Sequence, residues 1–399
     1  MKVLYDHQIF SLQKYGGISR YFFELMKHSY GLFEYDVSGV YSENEYVKPL
    51  KLFKEFPLKS YFKGKRTIVS VLNKPNSIKK IKQKKYNIIH PTYYDPYVLK
   101  YIKDNKLFIN EDDFNTRLQK IRNNISSDKF KTIEKNDKLP VFINNIEKED
   151  YILFTGQRGG YKNFGRFIEA VAPLLSRYNL RLICTGQSFT KEEFELLDKN
   201  KVRERAVSKF VSENELQNMY EKALLFVFPS LYEGFGIPIL EAFVSGCPIV
   251  LSNISCFPEI AGEAAMYFNP YSVDDIRQAI EKIILDNSLQ KELVKNGFER
   301  LKYFSWETTT KKTFKLYSEI TPLNNKTKLV ITVYDMIHEY FPECFPKNDK
   351  TSFNKYIMMI NADKIIAISN NTKMDIIKLY PEIDEKKIEV IYLGTSFER

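Results

Sequence analysis

Short apolar runs separated by polar loops recur along the chain, and most lead into residues at helical spacing. Residues 1–5 read as a first strand, and 14–22 open a helix that runs to about residue 28. Residues 34–41 alternate like a second strand, and 86–91 predict another that ends on a histidine, His90. The stretch 108–140 is polar and punctuated by Asn, Asp and Lys, so it reads as a connection holding one helix around 111–123. Apolar runs then return at 151–154, 181–184, 223–228 and 248–252. Helices are predicted over 272–285 and 288–303, with another beginning at 304–307. After residue 320 come strands at 328–333 and 364–368, a helix near 350–361, a helix capped by Ser369, and a strand ending at Gly394. Strands that alternate with helices predict an α/β protein built on parallel sheets.

Three of the strand–helix junctions carry glycine. The most informative is Ser230-Leu-Tyr-Glu233-Gly234-Phe235-Gly236-Ile237-Pro238-Ile-Leu-Glu241, which follows the run 223–228. Gly234 and Gly236 suit close backbone approach and positive φ, and Pro238 fits a first helical turn. Free amides at a helix start favour a phosphate. Glu233 in the loop can accept hydroxyls of a polyol, and Glu241 one turn on can hold a ribose. A second junction, Gly156-Gln-Arg158-Gly-Gly-Tyr-Lys162, sets two cations beside glycines, as a diphosphate requires. A third, Gly16-Gly17, stands between the first strand and its helix. His90 at a strand end either faces a ligand cleft or serves as a structural hydrogen-bonder.

Composition narrows the class. The chain has 399 residues, 44% hydrophobic and 15% aromatic, enough for two folded domains. No apolar run approaches the ~18 residues of a membrane span, and the first residues lack a signal-peptide core, so a cytoplasmic protein is expected. Four scattered cysteines show no metal-ligand spacing, and no Asp-x-Asp triplet occurs. Residues 51–85 hold twelve Lys or Arg against one acid, a local charge of +11 beside a total of +10. That block is either a solvated lysine-rich face or a surface drawn to anions, such as an anionic membrane. Nucleic acid is not expected, since no nucleic-acid-binding motif accompanies it.

The string Glu233–Glu241 resembles the E-x7-E motif of family 4 retaining glycosyltransferases, whose fold is called GT-B. The resemblance implies two Rossmann-like doubly wound domains facing across a cleft. It implies transfer of a sugar from a nucleotide-diphosphate sugar to a glycan or lipid-linked acceptor, with retention and without metal or other cofactor. By that likeness Glu233 is catalytic, and Gly16, Gly17, Arg158, Lys162, Val211, Gly234, Phe235, Gly236, Ile237 and Glu241 contact the donor. Asp335 and His338 orient the acceptor or sugar, with His90 a further contact. The family often has His-Asp where this chain has Tyr334-Asp335, which leaves the histidine role open. Segment order also departs from the family: 328–399 resembles the second half of an N-domain, yet follows the C-domain. The expected organisation is therefore 1–107 with 328–399 as acceptor domain, 108–140 as connection, 141–312 as nucleotide-sugar domain and 313–327 as crossover. The strings Tyr-Gly-Gly-Ile-Ser-Arg and Tyr-Asp-Met-Ile-His look like bacterial surface-polysaccharide enzymes and favour a mannosyl donor. The alternatives are a GT-B-fold sugar-nucleotide epimerase and a catalytically silent nucleotide-sugar-binding scaffold.

Overall fold

The structure is a computed structural model that describes residues 1–58, 60, 62–102, 110–125, 148–321 and 326–397. Most of the expected connection, the start of the expected nucleotide-sugar domain, the middle of the crossover and Lys59 of the basic block lie outside the described residues. The chain divides into two compact units, one from 1–129 with 306–393 and one from 130–305 with 394–399. In chain order the strands are β1 (Lys2–Tyr5), β2 (Glu34–Val37), β3 (Ile88–His90), β4 (Glu149–Phe154), β5 (Arg181–Thr185), β6 (Ala206–Lys209), β7 (Ala223–Phe228), β8 (Ile249–Ser252), β9 (Met266–Phe268), β10 (Lys328–Val333), β11 (Lys364–Ala367) and β12 (Ile388–Val390).

In the second unit the sheet runs β6-β5-β4-β7-β8-β9, with every neighbouring pair parallel. Its central strands are buried on both faces, which is why 151–154 and 223–228 are unbroken apolar runs. The helices Phe164–Arg177 and Val273–Leu285 pack together over it, burying Phe167, Val171, Leu174, Ile280 and Ile283. Each such side chain contributes roughly 1.5–3 kcal/mol. A second pair, Ile237–Val244 and Asn287–Leu301, meets at Gly297, where an added Cβ would lie 2.6 Å from the Phe243 ring.

The first unit has the sheet order β12-β11-β10-β3-β1-β2, again all parallel. Its middle joins distant parts of the chain: Lys328 and Leu329 of β10 sit opposite Ile88 and Ile89 of β3. The Lys328 amide donates to the Asn87 carbonyl (2.9 Å), and the Thr327 hydroxyl donates to the Tyr86 carbonyl (2.9 Å). Beside this seam His90 is fully buried. Its Nδ1 lies 2.5 Å from the Tyr317 hydroxyl and its Nε2 2.9 Å from Thr332 Oγ1. Tyr21 reaches the same Thr332 hydroxyl (3.2 Å), and Tyr94 donates to the Thr332 carbonyl (3.2 Å). His90 is therefore a structural hydrogen-bonder; both ring nitrogens are occupied inside the core, and the expected acceptor or sugar contact is not available to it.

Several expected boundaries shift. Helix Trp306–Ile320 buries Trp306, Thr309, Thr310, Thr313, Leu316 and Tyr317 within the first unit, so the change of unit falls at 305–306 and not at 312. Helix Glu111–Ile125 is part of the first unit's core: Phe114 stacks on Tyr356 (5.1 Å), and Arg117 pairs with Glu382. Residues 394–397 leave that unit, and Phe397 meets Tyr220 of the second (6.2 Å between rings). The expected strand 34–41 stops at Val37, because the amides of Val40 and Tyr41 donate to the Asn73 side chain (2.7 and 2.9 Å).

All four histidines, His7, His28, His90 and His338, belong to the first unit. Burial pushes the His90 imidazole down to about 3 and also lowers those of His7 and His338. A base depressed in the folded state stays neutral while the unfolded chain protonates. The stability it contributes is present above the unfolded value near 6.5 and is lost as pH falls towards 3. By pH 5 roughly 2 kcal/mol of the His90 contribution is lost. Calorimetric melts at pH 7.5 and pH 5 should show the first unit's transition falling further than the second's; equal shifts would contradict the assignment. A chain cut after residue 325 leaves Ile88 and Ile89 on an uncovered edge. Its first unit should be digested by trypsin while the second unit's thermal transition persists. A fragment as resistant as the full chain would show that β10–β12 are dispensable to that core.

Candidate functional site

In the second unit the chain lays down β4, β5 and β6 in one direction, then returns to place β7 on the other side of β4. The strand order therefore reverses between adjacent β4 and β7, and a crevice at such a switch point is where parallel α/β sheets bind ligands. Residues 155–163 and 229–236 form those loops. They are laced together. The Leu231 amide donates to the Tyr161 carbonyl (2.7 Å), and the Asn163 side chain donates to the carbonyls of Pro229 (3.2 Å) and Pro270 (2.8 Å). Asn163 takes φ +59°, a conformation Asn tolerates better than most residues. Of the glycine pair only Gly236 takes a positive φ (88°), where it caps helix Ile237–Val244 with Pro238 in the first turn. Gly234 is buried in the loop without that conformation.

Lys162 and Glu233 meet at this point, Nζ to Oε1 at 2.5 Å, with side chains 16% and 13% exposed. The Glu233 backbone is fixed from the next strand over. Its amide donates to Ser255 Oγ (3.1 Å), and its carbonyl accepts from the Ser255 hydroxyl (2.6 Å) and the Cys256 thiol (3.2 Å). Ser255 holds φ +59° to do so, a strained backbone beside the loop that carries Glu233. Glu241 is buried, and the Tyr220 hydroxyl donates to its Oε2 at 3.4 Å. Burial and the nearby Glu241 raise the Tyr220 phenol well above its ordinary value, so it remains a donor. Phe235 is buried against Phe304 (5.8 Å between rings). Ile237 is the first helical residue and is half-buried.

Arg158 is not brought to Lys162 and Glu233. Its guanidinium donates to Glu193 (3.0 Å), to the carbonyls of Gln187 (2.6 Å) and Ser188 (3.1 Å), and to Ser208 Oγ (3.4 Å). It also lies over the Phe189 ring at 4.9 Å. With its side chain 5% exposed, Arg158 serves to tie the turn after β5 to the capping box of helix Lys191–Lys199. Val211 stands at the end of edge strand β6, two strands along the sheet from β4, half-exposed beside the Ser212 cap.

The remaining candidates lie in the first unit. Gly16 precedes helix Gly17–Lys27 in extended backbone, and Gln13 folds over it to accept the Ser19 amide (3.2 Å). Asp335 is half-buried after β10; its Oδ1 accepts the Ile337 amide (3.0 Å), and its carbonyl accepts the Lys355 ammonium (2.7 Å). Lys355 forms a fully buried pair with Glu339 (2.9 Å). The His338 ring stacks on Phe345 (3.8 Å) with Nε2 3.9 Å from Asp349. Burial and then Lys355 lower its proton affinity, so it is neutral at physiological pH. Tyr93 joins this group, its phenol pushed up to about 12 by burial and by Asp335. Among the described residues no group of three or more His, Cys, Asp or Glu is arranged to hold a metal. Sequence reading missed Asn163, Ser255, Tyr220 and Tyr93. Asn163 directly follows Lys162 and was findable there, whereas Ser255 and Tyr220 reach Glu233 and Glu241 in the second unit, and Tyr93 reaches Asp335 in the first, from segments distant in sequence.

The two parallel Rossmann-like sheets define the fold as GT-B. A glycosyltransferase structure from Rickettsia africae matches at TM-score 0.54 and 16% identity, covering 81% of this chain and 99% of its own. Anabaena HepE, crystallised with UDP and glucose, matches at TM-score 0.55 and 12% identity, over 80% of this chain and all of its own. Residues 136–300 match the family described as "Glycosyl transferases group 1". O-antigen chain mannosyltransferase B of Escherichia coli is 33% identical over 175 residues, 42% of this chain. O-antigen chain mannosyltransferase RfbU of Salmonella typhimurium is 32% identical over 161 residues, 40% of this chain. The matched stretch spans 46% of each of those two relatives, less than half their length.

The geometry separates the two loop cations. Lys162→Ala should weaken binding of GDP or UDP about tenfold in calorimetry. Arg158→Ala should cost about 3 kcal/mol of second-unit stability by stranding Glu193 and two carbonyls. The reverse pattern would return Arg158 to the phosphate role.

Proposed function

We propose that the chain is a metal-independent, retaining glycosyltransferase that moves a hexose, mannose by preference, from a nucleotide-diphosphate sugar to a hydroxyl of a glycan or lipid-linked acceptor in surface-polysaccharide synthesis. The observation that carries this reading is the Lys162–Glu233 pair at the β4/β7 switch point, beside the helix start at Gly236. The mannosyltransferase names of the relatives support the donor choice. The pairing of β10 with β3 supports a family 4 chain whose N-domain is completed from the C-terminal side. The reaction is placed in the cytoplasm, at the inner face of the membrane.

In this reading the diphosphate lies against the amides at Gly234–Gly236, and its negative charge draws Lys162 from Glu233. The freed Glu233 carboxylate then accepts hydroxyls of the sugar, and Glu241 holds the ribose. Phosphate and sugar recognition are thereby linked through one ion pair. The bond from the anomeric carbon to phosphate oxygen breaks through an oxocarbenium-like state, while the acceptor oxygen bonds to that carbon on the same face. The acceptor proton passes to the departing phosphate. Lys162 and the loop amides stabilise the charge that develops there. Asp335 and His338 are assigned to the acceptor or sugar, Gly16 and Gly17 to the donor, and Val211 to the nucleotide base.

The test is a panel of nucleotide sugars with and without lipid-linked acceptor, run in excess EDTA. Acceptor-dependent nucleotide release that survives EDTA is expected. Turnover without acceptor would mean an epimerase, binding without turnover a scaffold, and rescue by Mg²⁺ a metal enzyme. Glu233→Gln should lower transfer at least about a hundredfold. The same change should leave nucleotide-diphosphate affinity equal or tighter, because the carboxylate no longer competes for Lys162. Full activity or weakened nucleotide binding would remove Glu233 from this role.

A further inference from the structure

Helix Lys65–Lys82 is built inside out. Its buried residues fall every fourth position, at Lys65, Val69, Asn73, Ser77 and Ile81, and three of the five are polar. Those polar groups are satisfied inside the first unit: Lys65 pairs with Glu43 (2.6 Å), Asn73 with the backbone of Val40 and Tyr41, and Ser77 with His7 (2.6 Å). The outward stripe is apolar. Ile68, Val71, Leu72 and Pro75 follow one another at i, i+3, i+4 and i+7, so they share one face. Ile68 is 44% exposed, Val71 63% and Leu72 47%. Exposed Leu52 and Leu58 precede the helix. A helix that buries polar groups and shows water its aliphatic ones has a face in want of a partner.

Charge identifies the partner. Lys79 and Lys82 stand exposed past the apolar stripe, 11 and 14 residues beyond Ile68 and so on the same face. The acids near its inner side are already used, Asp95 by Lys74 and Asp36 by Lys80. We propose that this outer face docks on an anionic lipid bilayer, the four apolar side chains entering the headgroup boundary and the cations engaging lipid phosphates. The arrangement is that of an interfacial helix lying in the membrane plane. No helix among the described residues is long and apolar enough to cross a membrane, so this attachment is peripheral. A second copy of the chain fits less well, because it would bring two blocks of +11 (twelve Lys or Arg less one acid, residues 51–85) face to face.

Flotation of the full chain with vesicles tests this. With about 30% phosphatidylglycerol in phosphatidylcholine, the bound fraction should exceed that on pure phosphatidylcholine about tenfold. Ile68→Ser with Val71→Ser and Leu72→Ser should cut binding about tenfold, since a salt-sensitive contact alone then remains. Lys79→Glu with Lys82→Glu should abolish the preference for the anionic lipid. All five sites are exposed, and unchanged circular-dichroism melts would confirm that folding is intact. Wild-type binding that ignores lipid charge, or variants that bind as wild type, would overturn the proposal. So would sedimentation showing a wild-type dimer that the serine variant dissociates. Calorimetry with GDP or UDP reads the second unit independently, so failure of the docking face and failure of the transferase reading are told apart.

Discussion

Strand β3 needs a neighbour, and the chain supplies it from far downstream. Ile88 and Ile89 are apolar on both faces of a parallel sheet, and such a strand is stable only when flanked and covered. The neighbour is β10, and the hydrogen bond between His90 and Thr332 closes a loop of 242 residues. Closing so long a loop costs little more than closing a short one, since the entropy grows only with the logarithm of length. What the seam demands instead is local complementarity. Tyr5, Tyr21, Tyr94 and Tyr317 supply it by surrounding His90 and Thr332 with hydroxyls. A buried polar network of this kind favours one register, because a slip would leave several groups without partners.

The second unit solves a different problem, that of holding two loops at a switch point. A loop glycine that leads into a helix gives a phosphate-sized opening only if the loop keeps its shape. Asn163 bonds two carbonyls across the gap, and Ser255 clasps both backbone groups of Glu233. Both residues accept a left-handed backbone to reach those positions. Two of the second unit's four left-handed non-glycine residues among those described, Asn163 and Ser255, thus flank the Lys162–Glu233 pair.

Much of this was legible from residue order. The apolar runs gave β4, β5, β7 and β8, and Pro238 with Gly236 marked a helix start. What failed was whatever depends on neighbours distant in sequence. Arg158 reads as a phosphate cation beside glycines, but Glu193 and the carbonyls of Gln187 and Ser188 claim its donors from the next strand's loop. His90 reads as a cleft residue at a strand end, yet β10 and the helix from Trp306 enclose it. Residues 38–41 alternate like strand, yet Asn73 of a helix thirty-odd residues on draws their amides away. Pattern reports what a segment favours, and such long-range hydrogen bonds decide where it ends.

The division of labour between Arg158 and Lys162 follows from their chemistry. A guanidinium presents a rigid fork of donors, suited to several fixed oxygens at once and to stacking on a ring, and Arg158 does both. Once so engaged it has no freedom to follow a ligand. An ammonium on a flexible stem is a point charge that can exchange one oxygen for another, and Lys162 holds a single carboxylate and keeps some exposure to solvent. Of the two cations that the loop after β4 carries, the mobile one stands where charge has to be exchanged during binding. The rigid one stands where it keeps the neighbouring turn, and so the wall of the crevice, in place.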